Sequence, residues 1–341
     1  MNFRKINRNL LHSSYCADII ADILMKRGEC MLVVNISDQL GNQMFAYASV
    51  KTIAERKGYS FGFIRARNDH INDTDPRYGN EIHTVFPQIK KELLQELPSD
   101  IKYTFTENVT PYSKMFFSEK ALQVKNQTFM KGHFISYLYF SDNMEHVRSW
   151  FTFPDEVKEI CRNKLSGLQQ KYPGRQLIAV HFRTGRDYTR QGFLLSSSYW
   201  FLAADYMIKK YGKSNILFLP FYDAKAKRHG AVHRFLKRYP CEIIKGTLVE
   251  DMCCMTMLQN LIVCNSSFSI MAGILNSHPD KLVLRPSVYP SGANYQPNDC
   301  FPEDWIVIRA KRSPHSHHLY KRMVIKGHML ALIRRILPGA F

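Results

Sequence analysis

Ionisable side chains cluster at the end of a short apolar run in the middle of the chain. Within residues 177–188, His181 and Arg183 close this run, and Arg186 and Asp187 follow a glycine. Such a run is typical of a buried strand, and open α/β sheets bind ligands at the carboxyl ends of their strands. A guanidinium group there can hold two phosphate oxygens in a fixed fork. The pattern favours an anion site at Arg183; a strand that ends in a solvated charged turn is the alternative.

The other side chains of this segment have supporting roles in our interpretation. His181 lies on the opposite side of the strand from Phe182, and we interpret it as a core histidine that fixes Arg183 or the following turn. Asp187 is expected to anchor the loop by pairing with a backbone N–H or an arginine. Asp38 and Asp223 lie near predicted strand ends, and they are candidates for a general base by position only.

A second polar run opens a predicted helix after the apolar strand 261–264. It consists of Asn265, Ser266, Ser267, Phe268 and Ser269. Small polar residues at a helix N-terminus offer hydroxyl groups, free N–H groups and the positive end of the helix dipole together. These groups suit a diphosphate, although a helix that is simply capped several times has the same pattern.

A third polar run lies between the first strand and the first helix. In it Gly41 lets the backbone turn tightly, so that the amides of Asn42 and Gln43 face the crevice. The alternative is an ordinary helix cap, in which Asn42 satisfies free backbone N–H groups.

Strands and helices alternate around these three runs. The first half opens with strand 31–36, loop 37–43 and helix 44–57, and residues 59–112 are predicted to be irregular apart from helix 88–96. An aromatic segment at 129–140 indicates a strand and a turn, and a helix follows at 153–171. The second half is predicted to contain strand 177–183, helix 197–211, strand 215–219, helix 225–238, strand 241–244, helix 248–258, strand 261–264, helix 267–276 and strand 281–284. This alternation is typical of a parallel, doubly wound α/β sheet.

The length of 341 residues allows two ordinary domains. We place the linker at Pro173 and Gly174, since both residues interrupt helices. The predicted segments are an N-terminal extension at 1–30, a first domain at 31–173, a second domain at 174–308 and a tail at 309–341.

The composition of the chain indicates which classes of partner the protein could bind. The formal charge of +18 favours phosphate, nucleic acid or anionic lipid as a partner. No nucleic-acid-binding module is recognisable, so we expect no nucleic acid partner. The eight cysteines include no C-x-x-C pair, which indicates buried reduced thiols. No histidine group has metal-ligand spacing, so we predict no metal site.

Sequence features near the two ends of the chain are informative about where in the cell the protein is expected. Asp18 and Asp22 interrupt what could be a signal segment, and no apolar run approaches the roughly 20 residues that span a bilayer. We therefore predict a cytoplasmic protein. Residues 309–341 contain eight Lys or Arg and no Asp or Glu, and apolar residues alternate with them from 320 to 337. This tail is either a basic amphipathic helix on an anionic membrane or a terminal helix packed on the body.

Three segments together resemble glycosyltransferase family 11, the α-1,2-fucosyltransferases. Residues 40–48 are similar to the family's opening L-G-N-Q-M-F-x-Y-A, and residues 180–188 to its H-x-R-R-x-D-Y segment. Residues 251–275 are similar to its D-x-x-x-M…N-S-S-F-S…W-L segment. The order and the separations also agree, and the resemblance covers residues 31–308.

The resemblance implies an α/β protein of GT-B architecture, in which two Rossmann-like domains face a cleft and the second domain holds GDP-fucose. It implies an inverting transfer to a glycan, without a metal ion or other cofactor. A lipid-linked glycan acceptor would suit a tail that lies on a membrane surface. Arg183 would contact the GDP phosphates and stabilise the leaving group, Asn42 would face the donor sugar, and Ser266 and Ser267 would lie at the phosphates. The other residues predicted to bind substrate are Gly41, Gln43, His181, Arg186, Asp187, Asp223, Asp251, Asn265, Phe268 and Ser269.

The sequence departs from the family in three places. Thr184 follows Arg183 where the family has a second arginine, and Arg186 lies two positions further along. This form of the segment is closer to that of protein O-fucosyltransferases. The family's F-S-D-D segment is replaced at 219–224, and its Trp-Trp pair at 270–271. Acceptor, linkage and sugar identity stay open, and the alternatives are a transferase for another GDP-deoxysugar and a GDP-sugar-binding protein without activity.

Overall fold

A computed structural model describes residues 31–65, 81–107, 117–190, 192–223, 230–288 and 299–314, together with 316–318, 321, 322, 325 and 329. The predicted extension at 1–30 and most of the predicted tail lie outside these residues.

Two parallel sheets organise the described part of the chain. The first has the order β2-β1-β4-β3 and the second the order β6-β5-β7-β8-β9, and every pair of neighbours is parallel. The strands are β1 (Met31–Ile36), β2 (Ser60–Arg65), β3 (Tyr103–Thr106), β4 (Thr128–Lys131), β5 (Gln176–Phe182), β6 (Ile216–Tyr222), β7 (Asn260–Ile262), β8 (Leu282–Pro286) and β9 (Ile306–Ile308). The predicted α/β fold with two Rossmann-like halves is confirmed; the exact domain boundaries stay predictions.

Helices connect the strands and cover the faces of both sheets. They are α1 (Leu40–Arg56), α2 (Ile82–Val85), α3 (Glu119–Leu122), α4 (Met144–Trp150), α5 (Asp155–Lys171), α6 (Arg186–Arg190), α7 (Ser198–Tyr211), α8 (Gly230–Arg238), α9 (Leu248–Met257) and α10 (Ser267–Leu275). Short 3₁₀ helices lie at Pro87–Glu92, Tyr137–Tyr139 and Lys213–Asn215.

Alternate side chains of the central strands enter different cores, because successive residues of a strand point to opposite faces. In β5, Ile178 and Val180 pack with α7 and α8, whereas Leu177 and Ala179 join a cluster that includes α9 and α10. That second cluster continues into the first half, where it contains Leu32 and other residues of the first sheet. One continuous core therefore holds the two halves together.

The structure corrects several predicted elements. The helix predicted at 88–96 is the 3₁₀ helix Pro87–Glu92, which begins with a proline. The strand predicted at 241–244 is wrong, because only an isolated bridge joins Cys241 to Phe218. Residues 60–65 and 103–106, predicted to be irregular, form β2 and β3.

The start of the first helix is also corrected, with a consequence for the site. The helix begins at Leu40 instead of 44, and the backbone N–H of Asn42 donates to the Gln39 carbonyl at 2.9 Å. Gly41, Asn42 and Gln43 therefore lie in its first turn. Among the helices of the described residues, none is both long and apolar enough to cross a bilayer.

Candidate active site

The order of the second sheet indicates where a ligand can bind. From β5, the chain first adds β6 on one side and then β7, β8 and β9 on the other. The connections thus diverge between β5 and β7, and open α/β sheets bind ligands in the crevice outside the carboxyl ends at such a point. Arg183 follows β5 directly, and the Asn265–Ser269 segment follows β7. Two of the three predicted segments therefore meet at this crevice.

Arg183 is held from two sides. Its Nη2 donates to Gln39 Oε1 at 3.0 Å and to Asp187 Oδ2 at 2.5 Å, and its Cζ lies 4.9 Å from the centre of the Tyr188 ring. The side chain is 18% exposed. Within the described ranges, Nε and Nη1 have no partner, so a guanidinium in a fixed orientation keeps donors for an anion.

His181 lies behind Arg183 in the interior. Its Nδ1 is 3.2 Å from Cys264 Sγ, its ring lies against Phe268, and its carbonyl accepts from Trp200 Nε1 at 3.0 Å. Burial and the charge of Arg183 lower the pKa of His181 to about 3, so the ring is neutral at physiological pH. These contacts agree with our interpretation of His181 as a core histidine that supports the end of β5.

The N-terminus of α10 has an uncapped first turn. Ser266 is the N-cap residue and is 5% exposed, but its side chain makes no capping hydrogen bond. The Ser269 hydroxyl instead accepts from Cys264 N at 3.3 Å, on the inner side. An uncapped helix start keeps free N–H groups and a positive dipole end, so this geometry favours the anion interpretation over a multiply capped helix.

Asn265 supports the loop that carries Arg183. Its Nδ2 donates to the Phe193 carbonyl at 2.8 Å, and its own carbonyl accepts from the Tyr188 hydroxyl at 2.9 Å. Asn265 is buried. These two hydrogen bonds of Asn265 therefore fix the loop that follows Arg183.

The first turn of α1 packs against the first turn of α10. A Cβ atom on Gly41 would lie 2.4 Å from Phe268 N and 2.6 Å from Ser267 C. The Ser267 hydroxyl donates to Asn42 Oδ1 at 2.5 Å. Gly41 thus allows a close approach of two helices, and the tight turn that we predicted is not its function.

Gln43 lies on the inner side of the same turn. Its Nε2 donates to the Asp38 carbonyl at 2.8 Å, and its Oε1 accepts from Ile82 N at 3.0 Å. The side chain is buried. Both ends of the amide are thereby engaged by the protein, so Gln43 supports the loop before α1.

Of the remaining predicted residues, Asp187 and Asp223 lie beside Arg183. Asp187 pairs with it as expected. Asp223 follows β6 and is adjacent by register, since Phe182 pairs with Tyr222. Asp251 lies on α9, where it is half-buried and interacts with Lys164 of α5, and desolvation raises its pKa to about 7. Arg186 starts α6, and its side chain lies outside the described residues.

Four residues with contacts at the site were not predicted from the sequence. They are Gln39, Tyr188, His133 and Glu107, and all four contact a predicted site residue or pair with each other. His133 and Glu107 follow β4 and β3. The rule that ligands bind beyond the carboxyl ends of parallel strands could have identified His133 after the strand predicted at 129–140, and Glu107 as well if β3 had been predicted.

The cysteines of the described residues are free thiols. Cys161, Cys253, Cys254, Cys264 and Cys300 are buried free thiols, as predicted, whereas Cys241 is partly exposed. In the part of the chain that the structure describes, no group of three or more His, Cys, Asp or Glu side chains could hold a metal ion.

Two Rossmann-like halves, with a polar site between the N-termini of α1 and α10, have the GT-B architecture that the resemblance implies. The sequence profile described as glycosyl transferase family 11 matches residues 4–309. The chain therefore belongs to glycosyltransferase family 11. A comparison with curated proteins finds no significant match.

Solved structures with a similar fold come from several glycosyltransferases. A glycosyl transferase of family 9 from Veillonella parvula has 11% identity and a TM-score of 0.46, with 89% of this chain and 97% of that chain covered. POFUT1 in complex with GDP has 11% identity and a TM-score of 0.40, with 75% and 98% covered. The fucosyltransferase NodZ from Bradyrhizobium has 12% identity and a TM-score of 0.40, with 72% and 93% covered.

Proposed function

We propose that the protein is an inverting fucosyltransferase that moves L-fucose from GDP-fucose to a glycan hydroxyl group, with α-1,2 linkage to a galactoside. Membership of family 11 supports a glycosyl transfer. The observation that carries the proposal is that Arg183 and the uncapped N-terminus of α10 meet at the diverging point of the second sheet. Both groups suit the diphosphate of a nucleotide sugar.

The chemical demand of the reaction matches these groups. As the bond from sugar C1 to the diphosphate breaks, negative charge grows on GDP. A fixed guanidinium and the positive end of a helix stabilise that charge without reorganising during the reaction. In this proposal Arg183 and α10 supply the positive field, and the transfer uses neither a metal ion nor another cofactor.

Turnover by the purified protein tests the proposal. We expect release of GDP from GDP-fucose and transfer of fucose to a β-galactoside such as lactose. GDP-mannose differs in its sugar hydroxyl groups, so it should react at least about 10-fold more slowly. Equal turnover of both donors would favour another GDP-deoxysugar as the natural donor. Binding of GDP without any turnover would favour a GDP-sugar-binding protein, the alternative suggested by Thr184.

We further propose that the C-terminal tail binds an anionic membrane surface, which would suit a lipid-linked glycan acceptor. Ile325 and Met329 lie one helical turn apart and are 60% and 59% exposed. Lys321 and Arg322 are exposed beside them. Exposed apolar residues next to cations favour an interfacial helix over a helix packed on the body.

Vesicle binding checks the role of the tail. Deletion should begin after residue 318, because Ser316 is buried and its hydroxyl accepts from Leu194 N at 3.2 Å. The full chain should sediment with vesicles that contain phosphatidylserine, and salt should weaken this binding. The chain without 319–341 should remain in the supernatant while it keeps its thermal stability. Equal sedimentation of the two proteins would contradict the proposal.

A further inference from the structure

The first sheet has a crevice of its own, which the proposed donor site does not use. In the order β2-β1-β4-β3, β1 and β4 are parallel neighbours, so their carboxyl ends lie side by side at the edge where open α/β sheets bind ligands. Asp38 lies just beyond β1 and His133 just beyond β4. Asp38 Oδ2 is hydrogen-bonded to His133 Nε2, and the two side chains are 35% and 26% exposed. A carboxylate–imidazole pair is thus accessible at this crevice.

Glu107 fixes the turn that carries His133 through two hydrogen bonds. Glu107 Oε2 accepts from His133 N at 2.8 Å and from Phe134 N at 2.9 Å. A Cβ atom on Gly132 would lie 2.4 Å from Glu107 Cβ, so the turn and the glutamate are in close contact. These contacts hold the imidazole in one place.

Asp38 is held in a strained backbone conformation. Its φ is 65°, in the left-handed region that non-glycine residues rarely adopt. The Gln43 amide fixes its carbonyl at 2.8 Å. Such strain persists where the surroundings over-determine it, and it is concentrated at functional sites.

Hydrogen bonds connect this pair to the proposed donor site. Gln39, the residue after Asp38, accepts from Arg183. The Asp38 carboxylate also accepts from the Asn42 side chain, and Asn42 Oδ1 accepts from Ser267. One intervening residue therefore links Asp38 to each of the two groups that would hold the diphosphate, and Asp38 comes from the opposite half of the protein.

The electrostatics suit a proton acceptor. The hydrogen bond from His133 lowers the pKa of Asp38 despite its burial, so Asp38 is an anion at neutral pH. Burial lowers the pKa of His133, but the hydrogen bond to Asp38 and the charges of Asp38 and Glu107 outweigh it and raise that pKa. Glu107 is the further charged group that acts on the pair, and the uncharged side chains of Asn42 and Ser37 also bond to Asp38.

We propose that Asp38 is the general base of the transfer and that His133 is a positioning residue for its carboxylate. This inference rests on the proposed function. A lone pair of the acceptor oxygen forms the bond to sugar C1, and the electron pair of the C1–O bond leaves with GDP. The hydroxyl proton moves to the Asp38 carboxylate and then to solvent.

Release of GDP from GDP-fucose in water tests the base, since water must also lose a proton when it acts as acceptor. Asp38→Asn and Asp38→Gly both tolerate the left-handed backbone. We expect each to release GDP about 10²-fold more slowly than the unmodified protein. Asp142→Asn, the same change of carboxylate to amide at an exposed ion pair, should have no effect.

Azide is an anionic nucleophile with no proton to remove, so it can react with the sugar without a general base. It therefore distinguishes the loss of a base from structural damage to the site. Added azide should restore GDP release by Asp38→Gly and yield fucosyl azide, detected by mass spectrometry. Undiminished release by both Asp38 variants would overturn the inference, and so would slow release that azide does not restore. If the unmodified protein neither binds GDP nor releases it from GDP-fucose, the proposed function fails together with the inference.

The pH profile tests His133. Protonated His133 neutralises the Asp38 carboxylate, so kcat/KM should rise with pH through the His133 pKa, which lies above its ordinary value of 6.5. His133→Gln keeps an N–H donor but does not titrate. Its acid limb should therefore move to lower pH, towards the pKa of Asp38 alone. An unchanged limb in this variant would show that His133 does not act on Asp38.

Discussion

Arg183→Ala is expected to lower kcat for fucose transfer by about 10³-fold while the protein remains folded. The guanidinium is held by Gln39 and Asp187, so it would meet the growing charge of GDP without reorganising. Loss of one preorganised donor to a developing anion commonly reduces kcat by about 10² to 10³, and loss of a charged arginine at a phosphoryl group by about 10³ to 10⁵. Steady-state kinetics with GDP-fucose measure the effect.

Two further variants sharpen this test. Arg183→Lys keeps the charge but loses the planar fork, so its rate should lie between those of the alanine variant and the unmodified protein. Arg162→Ala removes an arginine from an exposed ion pair on α5 and should leave the rate unchanged. An Arg183→Ala protein that turns over at the normal rate would disprove the role of this side chain.

Gly41→Ala is expected to reduce the free energy of unfolding by about 1–3 kcal/mol, the usual effect of an added methyl group in a tightly packed position. The new Cβ would lie 2.4 Å from Phe268 N and 2.6 Å from Ser267 C. Both are backbone atoms, so no side-chain rotation can relieve the overlap. Separation of α1 from α10 should also weaken the contacts of Asn42 with Ser267 and of Gln39 with Arg183, and lower transfer activity.

Gly167→Ala provides a matched control. Gly167 lies on the exposed face of α5, and a Cβ atom there would have no neighbour within 4 Å. The same substitution should leave stability unchanged or increase it by about 0.5–1 kcal/mol, because alanine favours the helix interior. Chemical denaturation of the two variants gives the comparison. Equal stability of Gly41→Ala and the unmodified protein would contradict the close helix contact.

Local sequence patterns were sufficient to predict most of the helices and strands in the second half of the chain. The predicted helix at 267–276 agrees with Ser267–Leu275, and the strand that ends in Arg183 agrees with Gln176–Phe182. The Met and Cys side chains at 252–255 are buried, as core packing requires. The strand predicted at 241–244 failed because an apolar pattern does not guarantee a partner: Ile243 is 43% exposed, and only Cys241 forms a bridge.

The first half was harder to predict because its strands are short and lie among polar residues. β3 has four residues that are largely exposed, so neither length nor burial gives it a strong pattern. Without β3, nothing in the sequence placed Glu107 at the end of a strand or brought it near His133. The candidate base, Asp38, could be named from its position, but its partner could not.

By itself, the sequence determined the alternation of strands and helices and the three polar segments that end or begin them. These features depend on residues a few positions apart, where side-chain period, capping and glycine act directly. Only the tertiary structure decided which segments meet: Asn42 bonds to Ser267, 225 positions away, and Asp38 to His133, 95 positions away. Strand order and the packing of two helix starts at Gly41 set these contacts, and no local pattern specifies either.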